Sequence, residues 1–302
     1  MRWENLREEE FAGAIERAKG VCVIPIGCLE KHGQHLPVGT DCIIAEGIVN
    51  MAAELEEVVV FPTTHWLGVS IQAHPDTEPE KRRKRGYIAM NPHTLLTVLE
   101  ELCDEIARNG FRKILLCSAH GGNRGFLNYF THAQGYKQKN YATLLVESIG
   151  GLTLDGQKCT ICDMYNMVVA DRDAYPMMTD EDIQVLRGYA EAGVGGSHAS
   201  LFETACVMAL KPDTVAPDKF EAESGASTHR ADHLTKAGVQ SQMVFWDSNF
   251  PNAYSGVAPI GCSEAIGQVF TKIKAQRLAQ TFKAVKEDED SVRMTLKLPP
   301  ED

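Results

Sequence analysis

The amino-acid sequence predicts an α/β fold built on a mostly parallel sheet. Short apolar runs bounded by glycine recur in the first half, as in GVCVIPIG (residues 20–27) and FRKILLCSA (residues 111–119). Longer segments with apolar residues at helical spacing separate these runs, and strands alternating with helices are typical of parallel sheets. Polar clusters directly follow two of the runs, and open α/β sheets bind ligands beyond the carboxyl ends of their strands.

The first elements can be assigned from their apolar patterns. A short amphipathic helix is predicted at about residues 8–18, followed by the buried strand GVCVIPIG. CIIAEGIVNMAAELE (42–56) has helical spacing, whereas VVVFPTTHW (58–66) and YATLLVES (141–148) have the length and composition of strands.

The clearest helix begins after Asn91. This residue can cap a helix, Pro92 suits the first turn, and Gly110 is a typical helix end. One apolar stripe runs along the predicted helix and consists of Leu95, Leu99, Leu102 and Ile106.

The second half has fewer signals. GGSHASLFETACVMAL (195–210) is predicted to be a loop that leads into a buried helix, and residues 262–286 a long terminal helix. A charged tail starts at about residue 287 and is predicted to be solvated. Neither an internal repeat nor a low-complexity linker interrupts the chain, so a single domain spanning residues 1–302 is expected.

Composition narrows the possible partners. The chain has 30 basic and 41 acidic residues and a formal net charge of −11, which argues against nucleic-acid binding. It contains no apolar run of about 18 residues, so no membrane partner is expected. An odd number of cysteines, nine, and a start that is charged from its second residue predict a cytoplasmic protein.

The first polar cluster lies in PIGCLEKHGQHLPVGTD (25–41). Glu30 and His32 have i, i+2 spacing and can face one point, while turns at Gly33 and Pro37 would bring Asp41 back to it. Imidazole and carboxylate ligands suit Zn²⁺, Mn²⁺ or Fe²⁺, and one aspartate can bridge two ions. The neighbouring His35 is either a further ligand or part of a surface pair or helix cap.

Two later segments can complete a metal site. SAHGGN (118–123) places His120 directly after a predicted strand, and its Asn123 is either a turn residue or a group that holds the substrate or its oxyanion. SHASLFET (197–204) contains His198 and Glu203, and Glu203 lies among apolar residues, where a carboxylate needs a partner or a metal.

In this order and at these separations, the three segments resemble the creatininase (creatinine amidohydrolase) family. The resemblance covers residues 15–285 and implies a three-layer α/β/α sandwich that assembles into homo-oligomers, often hexamers. It implies that the metal ligands are Glu30, His32, Asp41 and His120, with Asp41 bridging two divalent ions. His198 matches a histidine that shuttles protons beside the metals. Creatininase has a glutamate at the position of Gly122, so Glu203 is the candidate fifth ligand.

Several positions depart from the family pattern. Cys28 replaces the usual serine, Lys31 replaces a glutamine, and SHAS stands where H-A-G or H-G-G is common. The stretch KRRKRGYIAM (81–90) stands where a Pro-Gly-Thr is usual. These changes surround the predicted substrate position and indicate a small-molecule substrate other than creatinine.

Three functions are compatible with the motifs. The first is a hydrolase with two divalent ions per chain (Zn²⁺, Mn²⁺ or Fe²⁺), in which a metal-bound hydroxide attacks a carbonyl and a C–N bond of a cyclic or linear amide is cleaved. The second cleaves a C–C bond of an oxidised cyclic polyol of the keto-inositol type, with the basic run Lys81–Arg85 attracting the substrate. The third is a non-catalytic protein that binds a metal or a small molecule.

Two further features have no role in these hypotheses. Cys159 and Cys162 form a lone CxxC, which is a weak zinc signal and predicts ordinary thiols. His229 and His233 have i, i+4 spacing and are predicted to be exposed, although on a helix this spacing could also bind a metal. The sequence lacks both a G-x-S-x-G and a G-x-G-x-x-G, which argues against a serine hydrolase and a nucleotide-binding loop.

Overall fold

A four-stranded parallel sheet with the order β2–β1–β3–β4 forms the centre of the protein in a computed structural model. The structure describes residues 1–69, 86–88, 90–154 and 157–297. The strands of this sheet are β1 (Val21–Ile26), β2 (Val59–Val60), β3 (Lys113–Ser118) and β4 (Ala142–Val146). A small antiparallel pair consists of β5 (Thr153–Leu154) and β6 (Gln157–Lys158).

Helices cover both faces of the sheet. On one face pack α1 (Phe11–Arg17), α3 (Pro92–Arg108) and α4 (Asn123–Ala133). On the other pack α2 (Thr40–Leu55), α5 (Ile161–Ala170), α6 (Asp180–Ala192), α7 (Leu201–Leu210) and α10 (Glu264–Glu287). The remaining described α-helices are α8 (Asp232–Lys236), α9 (Gln242–Asn249) and α11 (Asp290–Thr295). The predicted α/β/α sandwich with a parallel sheet is confirmed.

Strand β1 shows why two helix layers are needed. All six of its residues are buried, with Val21 and Val23 in the core on the α2 side and Cys22, Ile24 and Ile26 in the core on the α3 side. Side chains alternate between the faces of a strand, so a strand that is apolar throughout needs cover on both faces. Each fully buried Val or Ile contributes about 1.5–3 kcal/mol to this arrangement.

The predicted start of α3 is confirmed. The Asn91 side chain accepts a hydrogen bond from the His93 N–H at 2.9 Å, and Pro92 is the first helical residue. The stripe of Leu95, Leu99 and Ile106 is buried, and Leu102 is half-buried.

The long terminal helix α10 packs against α7. Gly267 of α10 lies so close to the Ala205 carbonyl of α7 that a β-carbon at this position would collide with it. Lys274 is fully buried in α10, and its Nζ donates to the Gly150 carbonyl at 2.6 Å and to the Cys159 carbonyl at 2.9 Å. Helix α10 therefore holds both α7 and the segment that follows β4.

The second half contains helices that the sequence patterns did not indicate, namely α5, α6, α9 and α11. Part of the charged tail, which was predicted to be solvated, forms α11, and the Leu296 carbonyl accepts a hydrogen bond from Gln138 at 2.7 Å. Among the described residues, no helix combines the length and the apolar character needed to cross a membrane.

Candidate metal centre

The candidate site lies where β1 and β3 end side by side. The two strands pair up to their last residues, with Ile26 opposite Ser118. The segment after β1 leads to Glu30 and His32, and the segment after β3 leads directly to His120. The predicted convergence of the two polar clusters at one sheet edge is therefore present.

Asp41 lies at the centre of this cluster. It stands in the first turn of α2, where the helix dipole favours a negative charge, and it is only 1% exposed. Its Oδ2 is 3.0 Å from His120 Nδ1, while its Oδ1 is 3.2 Å from His32 Nε2. The two carboxylate oxygens thus face two different imidazoles.

Each imidazole has a second carboxylate beside it. Glu30 Oε1 is 3.2 Å from His120 Nδ1, and Glu203 Oε2 is 3.6 Å from His32 Nε2. Glu203 stands in the first turn of α7, where the Ala199 N–H also donates to its Oε2 at 2.6 Å. Three segments that are distant in sequence therefore contribute donors within a few ångströms of one another.

Backbone carbonyls orient the three histidines. His120 donates from Nε2 to the Val69 carbonyl at 3.0 Å, His32 from Nδ1 to the Glu30 carbonyl at 3.3 Å, and His198 from Nε2 to the Lys31 carbonyl at 2.9 Å. A carbonyl only accepts, so these bonds leave the opposite ring nitrogen of each imidazole facing the carboxylates. Metal-ligating histidines are typically held in this way.

The charges within the cluster shift its pKa values strongly. Burial disfavours the cationic form of His32, but Asp41, Glu203 and Glu30 outweigh it and raise the pKa of His32 to about 9. Burial likewise opposes the charge on His120, yet Glu30 and Asp41 raise its pKa well above the usual value. Burial also opposes ionisation of Asp41, but His32 and His120 lower its pKa.

These donors fit divalent cations. Buried carboxylates are costly unless a positive charge compensates them, and protons on the imidazoles supply that charge in the metal-free chain. Imidazole nitrogens and carboxylate oxygens are the ligands that Zn²⁺, Mn²⁺ and Fe²⁺ share. Three overlapping groups of donors meet the distance requirement for an ion: Cys28 with Glu30, Asp41 and His120; Glu30 with His32 and His198; and His32 with Asp41 and Glu203.

Gly122 stands at the position where the resemblance places a glutamate of creatininase. A β-carbon there would collide with the imidazole of His120, so the ring occupies the space that a side chain would need. On the opposite side of the cluster, Glu203 approaches His32. The assignment of Glu203 as the fifth ligand stays a prediction that this arrangement supports.

His198 lies at the edge of the cluster. Its ring stacks on that of His32 with centroids 4.1 Å apart, and its Nδ1 is 3.6 Å from Glu30 Oε1. The edge of Trp246 in α9 packs against the same imidazole at 5.2 Å.

Asn123 is fully buried, and its side-chain amide is engaged at both ends. Its Oδ1 accepts from the Val69 N–H at 2.8 Å, and its Nδ2 donates to the Gly27 carbonyl and to Ser118 Oγ, each at 3.3 Å. These bonds tie the segments after β1 and β3 to Val69, whose carbonyl orients His120. A direct role of Asn123 toward a substrate or its oxyanion stays a prediction.

His35 faces away from the carboxylates. It is 2% exposed and donates from Nε2 to the Ala199 carbonyl at 3.0 Å, with Thr204 Oγ1 at 3.1 Å. It therefore links the loop of Glu30 to the start of α7. Ala199 adopts a left-handed backbone conformation with φ of 58°, which is uncommon outside glycine.

The features left without a role lie apart from the cluster or outside the described residues. Cys159 precedes α5 and Cys162 lies within it, and both are free thiols. His229 precedes α8, which contains His233, so the two do not share the helix. His229 is exposed and bonds to Asp232 at 2.8 Å. The basic run Lys81–Arg85 lies outside the described residues.

A cavity of about 1400 Å³ opens beside the candidate metal centre among the described residues. Glu30, His120, His198 and Glu203 form its polar end. Aromatic side chains line much of the rest, namely Phe126, Tyr129, Phe202, Phe245, Trp246 and Phe250. The sequence patterns did not indicate this wall, because α9 has no clear apolar periodicity and α4 contributes its aromatic residues only once the chain is folded.

Sequence comparison identifies the class of protein. A family model for creatininase, described as creatinine amidohydrolase, matches residues 4–282. The chain therefore belongs to the creatininase family, whose members are hydrolases.

Two relatives illustrate the breadth of this family. Creatinine amidohydrolase of Pseudomonas putida is 21% identical over 217 residues, which cover 71% of this chain and 74% of the relative. Mycofactocin precursor peptide peptidase of Mycobacterium tuberculosis is 33% identical over 107 residues, or 35% of this chain and 42% of the relative.

Solved creatininase structures share the fold. A tryptophan-to-phenylalanine variant of creatininase superposes with a TM-score of 0.66 at 18% identity, covering 95% of this chain and 99% of that one. A Zn–Zn form gives a TM-score of 0.64 at 17% identity over 95% and 98% of the two chains. A manganese form gives 0.62 at 18% identity over 95% and 99%.

Proposed function

We propose that this protein is a hydrolase that uses two divalent ions to cleave a C–N bond of an amide. The observation that carries the proposal is the position of Asp41, whose two oxygens face separate imidazoles at 3.0 and 3.2 Å. A carboxylate in this position can bridge two ions about 3.5–4 Å apart.

The donors divide between two ions. Glu30, His120 and Asp41 Oδ2 would hold the first, and His32, Glu203 and Asp41 Oδ1 the second. The Zn–Zn and manganese forms of creatininase make zinc and manganese the first ions to test.

When bound, such ions acidify water and polarise a carbonyl group, lowering the pKa of the water to roughly 7 in favourable cases. The residues of this chain must then position the amide and move protons. His198 fits a proton carrier, because the Lys31 carbonyl fixes its Nε2–H while its Nδ1 faces the cluster beside Glu30. In this role Nδ1 accepts a proton from the attacking water beside Glu30 and delivers it to the departing nitrogen.

The cavity supports an amide that carries a bulky apolar or aromatic group. Its volume of about 1400 Å³ exceeds the roughly 300–1,000 Å³ of common small-molecule sites. Its lining includes Phe126 and Tyr129 of α4 as well as Trp246 and Phe250, whose ring centroids are 4.9 Å apart. Aromatic side chains at these positions gain most by burying a large apolar surface, which a ligand as small as creatinine would not provide.

The relatives support C–N bond cleavage. One is named for the hydrolysis of creatinine and the other for peptidase action on a precursor peptide, so both names refer to amide bonds. The proposal also includes assembly into a homo-oligomer, which native mass spectrometry would test.

Metal content tests the site. We expect about two ions per chain in the wild type and a loss of both in Asp41→Ala. Asp180→Ala is the matched control, because Asp180 also lies in the first turn of a helix but its side chain is fully exposed. Wild-type protein that binds no ion after reconstitution would refute the dinuclear site.

The released product tests the reaction. N-formylglycine and N-formylphenylalanine differ only in the aromatic group, and an amine-specific reagent detects the cleavage of either. We expect faster release from the phenylalanine compound, only in metal-loaded protein. Release of a carboxylate without an amine from a keto-inositol would instead support the C–C hydrolase.

A cavity variant tests the substrate class. Trp246→Ala should raise KM for the aromatic substrate by about fivefold or more, since a lost aromatic pair costs about 0.5–1.5 kcal/mol in addition to the buried apolar area. Tyr136→Ala is the control, because this tyrosine is 89% exposed and does not line the cavity. Equal KM values for the three proteins would argue against binding of an aromatic group in this cavity.

A further inference from the structure

Cys28 lies inside the candidate metal centre. It follows β1 by two residues, is 1% exposed, and its Sγ donates to Asp41 Oδ2 at 3.1 Å. Sγ belongs to a group of four donors in which the other three come from Glu30, Asp41 and His120, all within 4.8 Å of one another.

The measured distances suit a four-coordinate ion. Bonds of about 2.0–2.3 Å place neighbouring donors of a tetrahedral site about 3.3–3.8 Å apart. Here Asp41 Oδ2 is 3.0 Å from His120 Nδ1 and 3.1 Å from Cys28 Sγ, and Glu30 Oε1 is 3.2 Å from His120 Nδ1. Small outward movements of the side chains would make room for an ion between them.

Cys42 shows that a cysteine next to a candidate ligand in sequence need not join the donor group. It follows Asp41 directly and is equally buried, but its Sγ contacts the backbone carbonyls of Cys28 at 3.3 Å and His65 at 3.9 Å. Among the described cysteines, only Cys28 belongs to a group that meets the distance requirement for an ion.

We infer that Cys28 is a thiolate ligand of the ion that Glu30, Asp41 and His120 hold. The inference rests on the proposed dinuclear site and adds a sulfur donor to it. Binding forms a metal–sulfur bond and breaks the S–H bond, and the proton passes to solvent without any oxidation or reduction. Thiolate ligands favour zinc over manganese, so this ion position discriminates against manganese.

Cobalt spectroscopy tests the inference without measuring activity. Metal-free protein is titrated with Co²⁺, whose visible bands report binding and whose near-ultraviolet charge-transfer band reports a thiolate ligand. We expect both signals in the wild type and in Cys42→Ser. Cys28→Ser should keep the visible bands and lose the charge-transfer band.

The outcomes separate this inference from the proposed function. Visible bands without a charge-transfer band in the wild type would overturn the thiolate ligand and leave the dinuclear hydrolase intact. Absence of all cobalt bands would refute both. Zinc X-ray absorption of the wild type needs no variant and should detect a sulfur neighbour at about 2.3 Å, averaging about half a sulfur per zinc when both ion positions are filled. Nitrogen and oxygen neighbours alone would overturn the assignment.

The ratio of Zn²⁺ to Mn²⁺ affinity provides a second test of the thiolate ligand. Cys28→Ser should bind Zn²⁺ at least about tenfold more weakly relative to Mn²⁺ than the wild type does, since even changes around the ligands cost about 10–100-fold in affinity. An unchanged ratio of zinc to manganese affinity would contradict a thiolate ligand.

Discussion

Acidification from pH 6.5 to 4.5 should destabilise the metal-free protein through His35. Burial lowers the pKa of this imidazole to about 4, although its bond to the Ala199 carbonyl partly opposes the shift and His32 adds to it. In the unfolded chain the pKa is about 6.5. Between these values the unfolded state binds a proton that the folded state does not, so the stability present above pH 6.5 is lost as the pH falls through 4.

The size of the effect follows from the two pKa values. From pH 6.5 to 4.5 the linkage relation gives a loss of about 2 kcal/mol in the free energy of unfolding. Glu30 and Asp41 have lowered pKa values, so they change the free energy of unfolding mostly below this pH window. The raised pKa values of His32 and His120 act above it, because their stabilising contribution is lost only as the pH rises from about 6.5 upward.

Urea unfolding of the chelator-treated protein measures this loss. His35→Gln is the matched variant, because its amide can donate to the Ala199 carbonyl but has no titration in this range. Between pH 6.5 and 4.5 the wild type should lose about 2 kcal/mol more of its unfolding free energy than the variant does. A difference that stays constant over this range would refute a neutral, buried His35.

Three further predictions concern single side chains. Glu203→Gln should lower the metal content from about two ions per chain to about one, because only His32 and Asp41 Oδ1 would then hold the second ion. Mass spectrometry measures the content, and two ions per chain in the variant would contradict the assignment of Glu203 as a ligand. Asn123→Ala should lower the free energy of unfolding by about 2–3 kcal/mol, because it leaves the buried Val69 N–H without an acceptor; urea unfolding checks this. Lys274→Met should cost about 2–4 kcal/mol, because two carbonyls lose their donor, and an unchanged melting temperature would argue against these bonds.

Local sequence signals determine much of the first half of the fold. The apolar run of β1 and the cap at Asn91 were sufficient to predict a strand and a helix, because each signal acts within a few residues. The shared edge for Glu30 and His120 followed from the rule that parallel strands end on one side. Helices α5 and α6 also begin with a local signal that apolar spacing does not reveal, because Thr160 and Thr179 form capping boxes with Asp163 and Asp182. Helix α9 has no side-chain cap.

The centre was predictable in its residue types but not in its geometry. The spacing of Glu30, His32 and Asp41 indicated a metal site, yet which oxygen of Asp41 faces which imidazole depends on how the segments pack. The approach of Glu203 depends on the packing of α7 and therefore could not be derived from local pattern. Cys28 was recognised as a departure from the family motif, but only the fold shows its sulfur beside Asp41.

The contacts of α10 bear on how the protein forms during translation. Residues 30–41 and 120 emerge from the ribosome well before Gly267 and Lys274, which hold α7 and the wall of the cavity. A nascent chain can thus assemble the half of the centre around His120 before the helix that supports Glu203 exists. A ribosome that stops before α10 would release a chain with one half-site exposed, so a centre whose other ligands lie between Glu30 and His120 still depends on a helix that begins at Glu264.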